Sequence, residues 1–113
     1  PSIDYTLAYS AILQTLNSDS RPDAFFTCSD VFAAATINAA QHLGIRVPED
    51  VQIIGYDGIV DYATGRFGCS TIVQPIPEIA ETAVKLLIHQ QGALPPSNVT
   101  LPVYFASGGT TRE

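Results

Sequence analysis

Apolar positions along this chain recur with two different periods, and the two alternate. Tyr5, Ala8, Tyr9, Ile12, Leu13 and Leu16 fall at three- and four-residue steps, giving one apolar face of a helix. Asp4 stands where it can cap that helix, which is expected to run to about Asn17. A polar break, Asn17-Ser18-Asp19-Ser20, leads through Pro22-Asp23 to a short buried-strand candidate at Ala24–Cys28. Ser29 and Asp30 then offer two capping side chains in succession. Val31 to Leu43 is alanine-rich and apolar on most faces, the composition of a helix packed on more than one side. Gly44 follows it as a helix-ending glycine, and Pro48 keeps the helix from resuming.

Val51, Ile53 and Ile54 form the next strand-like run, closed by Gly55-Tyr56-Asp57. Gly58 to Gly68 reads as a loop long enough to be functional, and Ser70–Gln74 as another extended segment. A second strong helix is expected from about Pro75 to Gln91, with Ile76, Ile79, Ala80, Ala83, Val84, Leu87 and Ile88 as its stripe. Pro77 and Glu78 suit its first turn, Lys85 and His89 its last, and Gly92 its end. Leu94 to Ser97 is a turn, Val99 to Phe105 alternates weakly as a final strand, and Ser107-Gly108-Gly109 breaks it.

This alternation predicts an α/β fold with a parallel, doubly wound sheet. Such a sheet usually opens on a strand. Opening on a helix implies a missing sheet face for that helix to cover, so the chain reads as a fragment of a larger unit.

The length, 113 residues, is enough for one small domain or one lobe of a larger one. The formal charge of −6 makes this segment a poor direct partner for a phosphate backbone. It has no basic run for an anionic membrane surface, and its apolar runs fall far short of the ~20 residues a span requires. Cys28 and Cys69 have neither metal spacing nor a CxxC partner, and two unpaired thiols fit a reducing cytoplasm.

Catalytic patterns are missing. The chain has no GxGxxG, no Walker lysine, no nucleophile elbow and no HExxH. His42 and His89 both fall near helix ends, where an exposed ring is the ordinary outcome. The tripeptide Asn98-Val99-Thr100 fits a glycosylation acceptor, a match common by chance. No cofactor, metal or enzymatic activity is expected. What remains is a set of polar residues at strand ends: Ser29 and Asp30, then Asp57, then Gln74. In a parallel sheet these ends share one edge, the edge where open α/β sheets bind ligands. A polyhydroxylated small molecule needs such convergent groups, and a carboxylate can accept two charge-assisted hydroxyl hydrogen bonds. Each residue has a structural alternative: Asp30 as a helix cap, Ser29 as a turn residue, Asp57 as a loop cap, Gln74 as a partner for backbone groups.

Four segments, PDAFFTCSD at 22–30, GIRVPEDV at 44–51, IGYD at 54–57 and TIVQP at 71–75, resemble the effector-binding core of lactose-repressor-type (LacI/GalR) bacterial transcription regulators. Gly109-Thr110-Thr111 is similar to that family's ending. The resemblance covers nearly the whole chain. It implies a periplasmic-binding-protein-like fold of type I, two α/β lobes around a sugar-sized cleft. Residues 1–73 would belong to the C-terminal lobe. Residues 74–113 would be the crossover and the return to the N-terminal lobe, supplying its last helix and strand near Pro75–Phe105. A helix-turn-helix headpiece would be absent from this chain.

By motif, Asp57 resembles the family's sugar-hydroxyl-binding aspartate, and Ser29 stands where many members have an asparagine that contacts effector. Asp30 matches the aspartate opening the next helix, Gln74 a polar residue at the lobe crossover, and Ile76 a position lining the cleft. Ile3 and Asp4 fall where an aromatic often stacks on the sugar ring, a feature this sequence lacks at that spot although Tyr5 is near. Gly58 replaces a frequent second aspartate.

The resemblance implies the sensory part of a cytoplasmic bacterial repressor. A sugar or sugar phosphate would bind between the lobes, with Val73–Pro75 as a hinge. Binding would shift the spacing of two headpieces in a homodimer, which contact operator DNA. The Val31–Leu43 helix would contribute to the dimer interface or be buried wholly inside its lobe. The alternatives are an exported sugar-binding protein of a transport system with the same fold, and an enzyme on a doubly wound sheet.

Overall fold

The computed structural model describes residues 4–59, 68–89 and 98–112. In chain order these form α1 (Tyr5–Leu16), β1 (Ala24–Phe26), α2 (Asp30–His42), β2 (Gln52–Asp57), β3 (Ser70–Val73), α3 (Ile76–His89) and β4 (Tyr104–Ala106). The expected alternation is present. The expected end of α3 near Gly92, the turn at 94–97 and the middle of the 58–68 loop lie outside the described residues.

Four strands make one sheet in the order β1-β2-β3-β4. The pairs β1/β2 and β2/β3 are parallel, with Phe26 opposite Ile54 and Asp57 opposite Val73. This register brings β2 and β3 to an end at the same level. The last strand starts later than the sequence indicates and pairs antiparallel to β3, with Val73 opposite Tyr104 and Thr71 opposite Ala106. Weak alternation carries no information on strand direction. The direction follows from where the chain re-enters the sheet. Residues 99–101 and Val103 line the same hollow as Gln74 and Pro75, the residues that follow β3. A strand entering there without crossing to the opposite edge must run antiparallel.

The apolar character of α2 is used within the chain. Ala33, Ala34, Ala35, Ile37, Ala39 and Ala40 are buried. Ala39 and Ala40 join Leu16 of α1 and Val51 in one cluster, and Ala33 and Ile37 join Ile53 and Cys69 in a second. The helix is thus sandwiched between α1 and the sheet, and its small side chains allow close approach on both sides. Packing against α1 and the sheet engages these small side chains.

The stripe of α3 is exposed instead. Val84, Leu87 and Ile88 are 54%, 72% and 62% exposed. The sheet face opposite α2 is also open, with Phe26 at 67% and Phe105 at 50%.

Candidate functional site

The site is assembled where β2 and β3 end together. Asp57, last residue of β2, has φ 115°, and the following Gly58 has φ 75°. A positive φ is uncommon outside glycine, costs on the order of 1–3 kcal/mol, and persists only where the surroundings hold it. Glycine is required at 58 for a second reason. A Cβ there would lie 2.7 Å from a Val73 methyl, since the turn folds directly over β3.

The half-buried Asp57 carboxylate accepts a hydrogen bond from Gln74 Nε2 at 2.7 Å. Gln74 also donates its backbone N–H to the Asp57 carbonyl at 3.3 Å. Gln74 in turn lines a hollow of about 440 Å³ with Tyr56, Pro75, Ile79 and Leu101. The Tyr56 and Phe26 rings meet nearly at right angles, centroids 6.4 Å apart, so two aromatics are neighbours near the ends of β1 and β2. Asp57 does not itself line this hollow and is one hydrogen bond away from it.

The other sequence candidates are placed differently. Ser29, half-buried, is the N-cap of α2, with Oγ accepting from Phe32 N at 3.4 Å. Asp30 follows as the first helical residue, so the capping role expected for it falls to Ser29. Asp30 is fully buried, and both carboxylate oxygens are engaged inside the protein. Oδ1 accepts from Thr71 Oγ1 at 2.5 Å and Oδ2 from the backbone N–H of Ile59 at 2.7 Å. As a contact offered to a ligand, Asp30 is closed off by these partners. Ile76 is 55% exposed at the start of α3 and is not among the lining of the hollow. Asp4 caps α1, accepting from Thr6 N at 2.8 Å and Leu7 N at 3.3 Å, also apart from the hollow. Ile3 lies outside the described residues.

Two side-chain roles are not legible in the sequence. Thr71 is buried and anchors Asp30. Its position after Cys69-Ser70 in an apolar strand gave no signal, because a threonine in a strand is ordinary packing. Thr110 is buried near the chain end, donating to the Ile53 carbonyl at 2.7 Å and accepting from Ser70 N at 2.9 Å. Ser70 Oγ meets Thr111 Oγ1 at 2.7 Å and accepts from Gly108 N at 2.9 Å. Residues 108–111 thereby close over the start of β3, and a Cβ on Gly108 would fall 2.2 Å from the Gly68 carbonyl oxygen.

Among the described residues no group of three His, Cys, Asp or Glu is placed to hold a metal ion. No described helix is long and apolar enough to cross a membrane. Cys28 is exposed and Cys69 buried, both as free thiols. Burial pushes the Cys69 thiol pKa above its ordinary value, partly offset by its hydrogen bond from Thr110.

A family model described as a periplasmic binding protein-like domain matches residues 2–111. The HTH-type transcriptional repressor PurR of Erwinia tasmaniensis is 33% identical over 96 residues, covering 85% of this chain and 28% of the relative. That of Photorhabdus laumondii is 40% identical over 82 residues, covering 73% of this chain and 24% of the relative. The solved dimeric lac repressor with an 11-residue C-terminal deletion superposes with a TM-score of 0.84 at 28% identity, covering 96% of this chain and 40% of that one. The chain therefore spans about a quarter of the length of the curated relatives it matches. With a sheet, a helix order and a closing segment that superpose on such a regulator over nearly all its residues, this chain belongs to the periplasmic binding protein-like domain family as part of the core of a LacI/GalR-type regulator.

Proposed function

We propose that this chain is the effector-sensing part of a bacterial transcriptional repressor. The effector is a sugar or sugar phosphate, and the protein carrying this chain is a cytoplasmic, non-enzymatic homodimer that binds operator DNA through a helix-turn-helix elsewhere in its sequence. The observation that carries this reading is the Asp57 carboxylate. It ends a parallel strand on a positive-φ turn, and among the described residues Gln74 is the side chain that reaches it. An ionised carboxylate has acceptor sites for several donors, so one amide leaves capacity for ligand hydroxyls.

Residues 1–73 belong to one lobe in this reading. The chain crosses at Val73–Pro75, places α3 in the other lobe, and β4 brings it back. The exposed stripe of α3 and the exposed Ile76 support that assignment, because a run of exposed apolar side chains on one helix marks a contact surface. An effector held across the crossover acts by binding one lobe arrangement more tightly than another. The repressor relatives favour this function over an exported transport protein.

Calorimetry of the full-length protein against D-glucose, D-galactose, D-ribose and their phosphates tests the reading. At least one should bind, and Asp57→Ala should weaken it by about 1.5–3 kcal/mol, the worth of a charge-assisted hydrogen bond. Unchanged affinity in Asp57→Ala removes Asp57 from the role.

A further inference from the structure

We infer that Asp30 is a positioning residue for Asp57: its buried carboxylate pins the backbone N–H of Ile59 and thereby sets the turn that presents the Asp57 side chain. Three observations converge on it. The carboxylate is fully buried, yet its two oxygens take one donor each from different elements, Thr71 of β3 and Ile59 beyond β2. Asp57 and Gly58 both hold positive φ, uncommon for the aspartate, and Ile59 is the next residue, so the pin lies immediately after this pair. The strand beneath has been cleared for the carboxylate, since a Cβ at Gly55 would sit 2.2 Å from Asp30 Oδ1.

The chemistry suits the task. A carboxylate is an acceptor at both oxygens, so a hydroxyl and a peptide N–H can hold it simultaneously without a competing donor on the same group. Charge-assisted bonds of this kind are the stronger ones. The first turn of a helix is also where a negative charge is favourable, which offsets part of the burial of the ion. The result is a rigid post between α2, β3 and the turn, with its upper end one residue beyond the Asp57-Gly58 pair. The bond from Gln74 fixes Asp57 from one side, and the Asp30 pin fixes the backbone on the other.

Asp30 serves function in this way only if Asp57 accepts the effector, and the experiment separates the two. In the full-length protein, amide hydrogen exchange is followed by NMR at Ile59, with Ile53 N–H, bonded to the Thr110 carbonyl, as an internal reference. Ile59 should be protected in the wild type. It should exchange at least about tenfold faster in Asp30→Ala, the loss expected for one strong hydrogen bond, while Ile53 stays unchanged. Asp30→Asn should keep most of the protection, because its carbonyl oxygen can still accept from Ile59 while the Thr71 hydroxyl turns to accept from its amide. A freely exchanging Ile59 in the wild-type protein overturns the inference even if Asp30→Ala fails to fold.

Affinity for whichever panel sugar binds gives the functional arm. Asp30→Ala should weaken it about tenfold in the wild-type background and have little effect in an Asp57→Ala background, the non-additivity of residues acting through one another. Asp30→Asn should stay near wild type. Equal losses in both backgrounds mean Asp30 is merely structural and overturn the inference. If no panel sugar binds, the effector reading falls; if Asp57→Ala leaves affinity intact, the role of Asp57 falls; in either case the Ile59 exchange result alone decides the pin.

Discussion

Gln74 Nε2 donates to Asp57 Oδ1 across 2.7 Å and so joins the carboxyl ends of β3 and β2. The two residues are also linked through their backbones, since Gln74 N–H donates to the Asp57 carbonyl. One member follows the last residue of β3 and is immediately followed by Pro75, where the chain leaves the sheet. A ligand that takes Oδ1 must compete with this amide, and the competition is felt at the point of exit.

Gln74→Ala should lower stability by about 1 kcal/mol, less than a fully buried charged bond because both side chains are half-exposed. Urea unfolding should show a lower midpoint with an unchanged slope. Gln74→Glu should be worse at neutral pH, where two carboxylates would face one another. Its deficit should shrink as acid protonates the pair, whose folded pKa is raised by the repulsion.

Gly55→Ala is predicted to destabilise the fold by about 1–3 kcal/mol, the usual penalty of overpacking a filled interior. The added methyl would be 2.2 Å from Asp30 Oδ1, which Thr71 holds, on a carboxylate whose other oxygen is held by the Ile59 N–H, so the group cannot readily swing away. Chemical denaturation measures the loss, and a wild-type midpoint would show that the carboxylate yields.

Thr110→Val should cost about 1–3 kcal/mol, because it strands the Ile53 carbonyl and the Ser70 N–H in the interior. Thr110→Ser keeps the hydroxyl and should recover most of the loss. Comparing the two by thermal unfolding separates the hydrogen bonds from the methyl.

The surface pair Arg46–Asp50 gives a pH prediction. Arg46 donates to both carboxylate oxygens, Nε to Oδ2 at 2.8 Å and Nη2 to Oδ1 at 2.5 Å, and its backbone N–H adds a third bond at 3.0 Å. These bonds hold the Asp50 carboxyl well below the usual carboxylate range. A depressed folded pKa means stabilisation that is complete above the unfolded value of about 3.9 and lost as pH falls towards the folded one. Asp50→Asn should therefore lose stability at neutral pH and flatten the fall in stability between about pH 5 and about pH 2. Urea midpoints across that range check it, and parallel curves for the two proteins would deny the pair any role.

Much of this arrangement is legible in the sequence because local signals agree with one another. Asp4 before a three-four stripe gave α1 and its cap, and Gly44 with Pro48 gave the end of α2. Asp57 and Gln74 were readable as neighbours because parallel strands end on one edge. Asp30 was harder. A carboxylate at a helix start looks the same whether it caps the helix, meets a ligand or is buried, and the distinction lies in Thr71 and Ile59, tens of residues away. The direction of β4 was hidden for a similar reason: it depends on where the chain returns, which alternation does not encode. The stripe of α3 was plain from spacing, but spacing says that a face is apolar and not what lies against it.

Val73 and Tyr104 are register partners, so the chain leaves the sheet and comes back to it on adjacent strands. The described residues that follow Val73 and precede Tyr104 are therefore tied to the sheet through two neighbouring strands about 5 Å apart, the spacing of paired strands. A single tether would permit free spinning about its own axis. A pair of adjacent strands resists that spin.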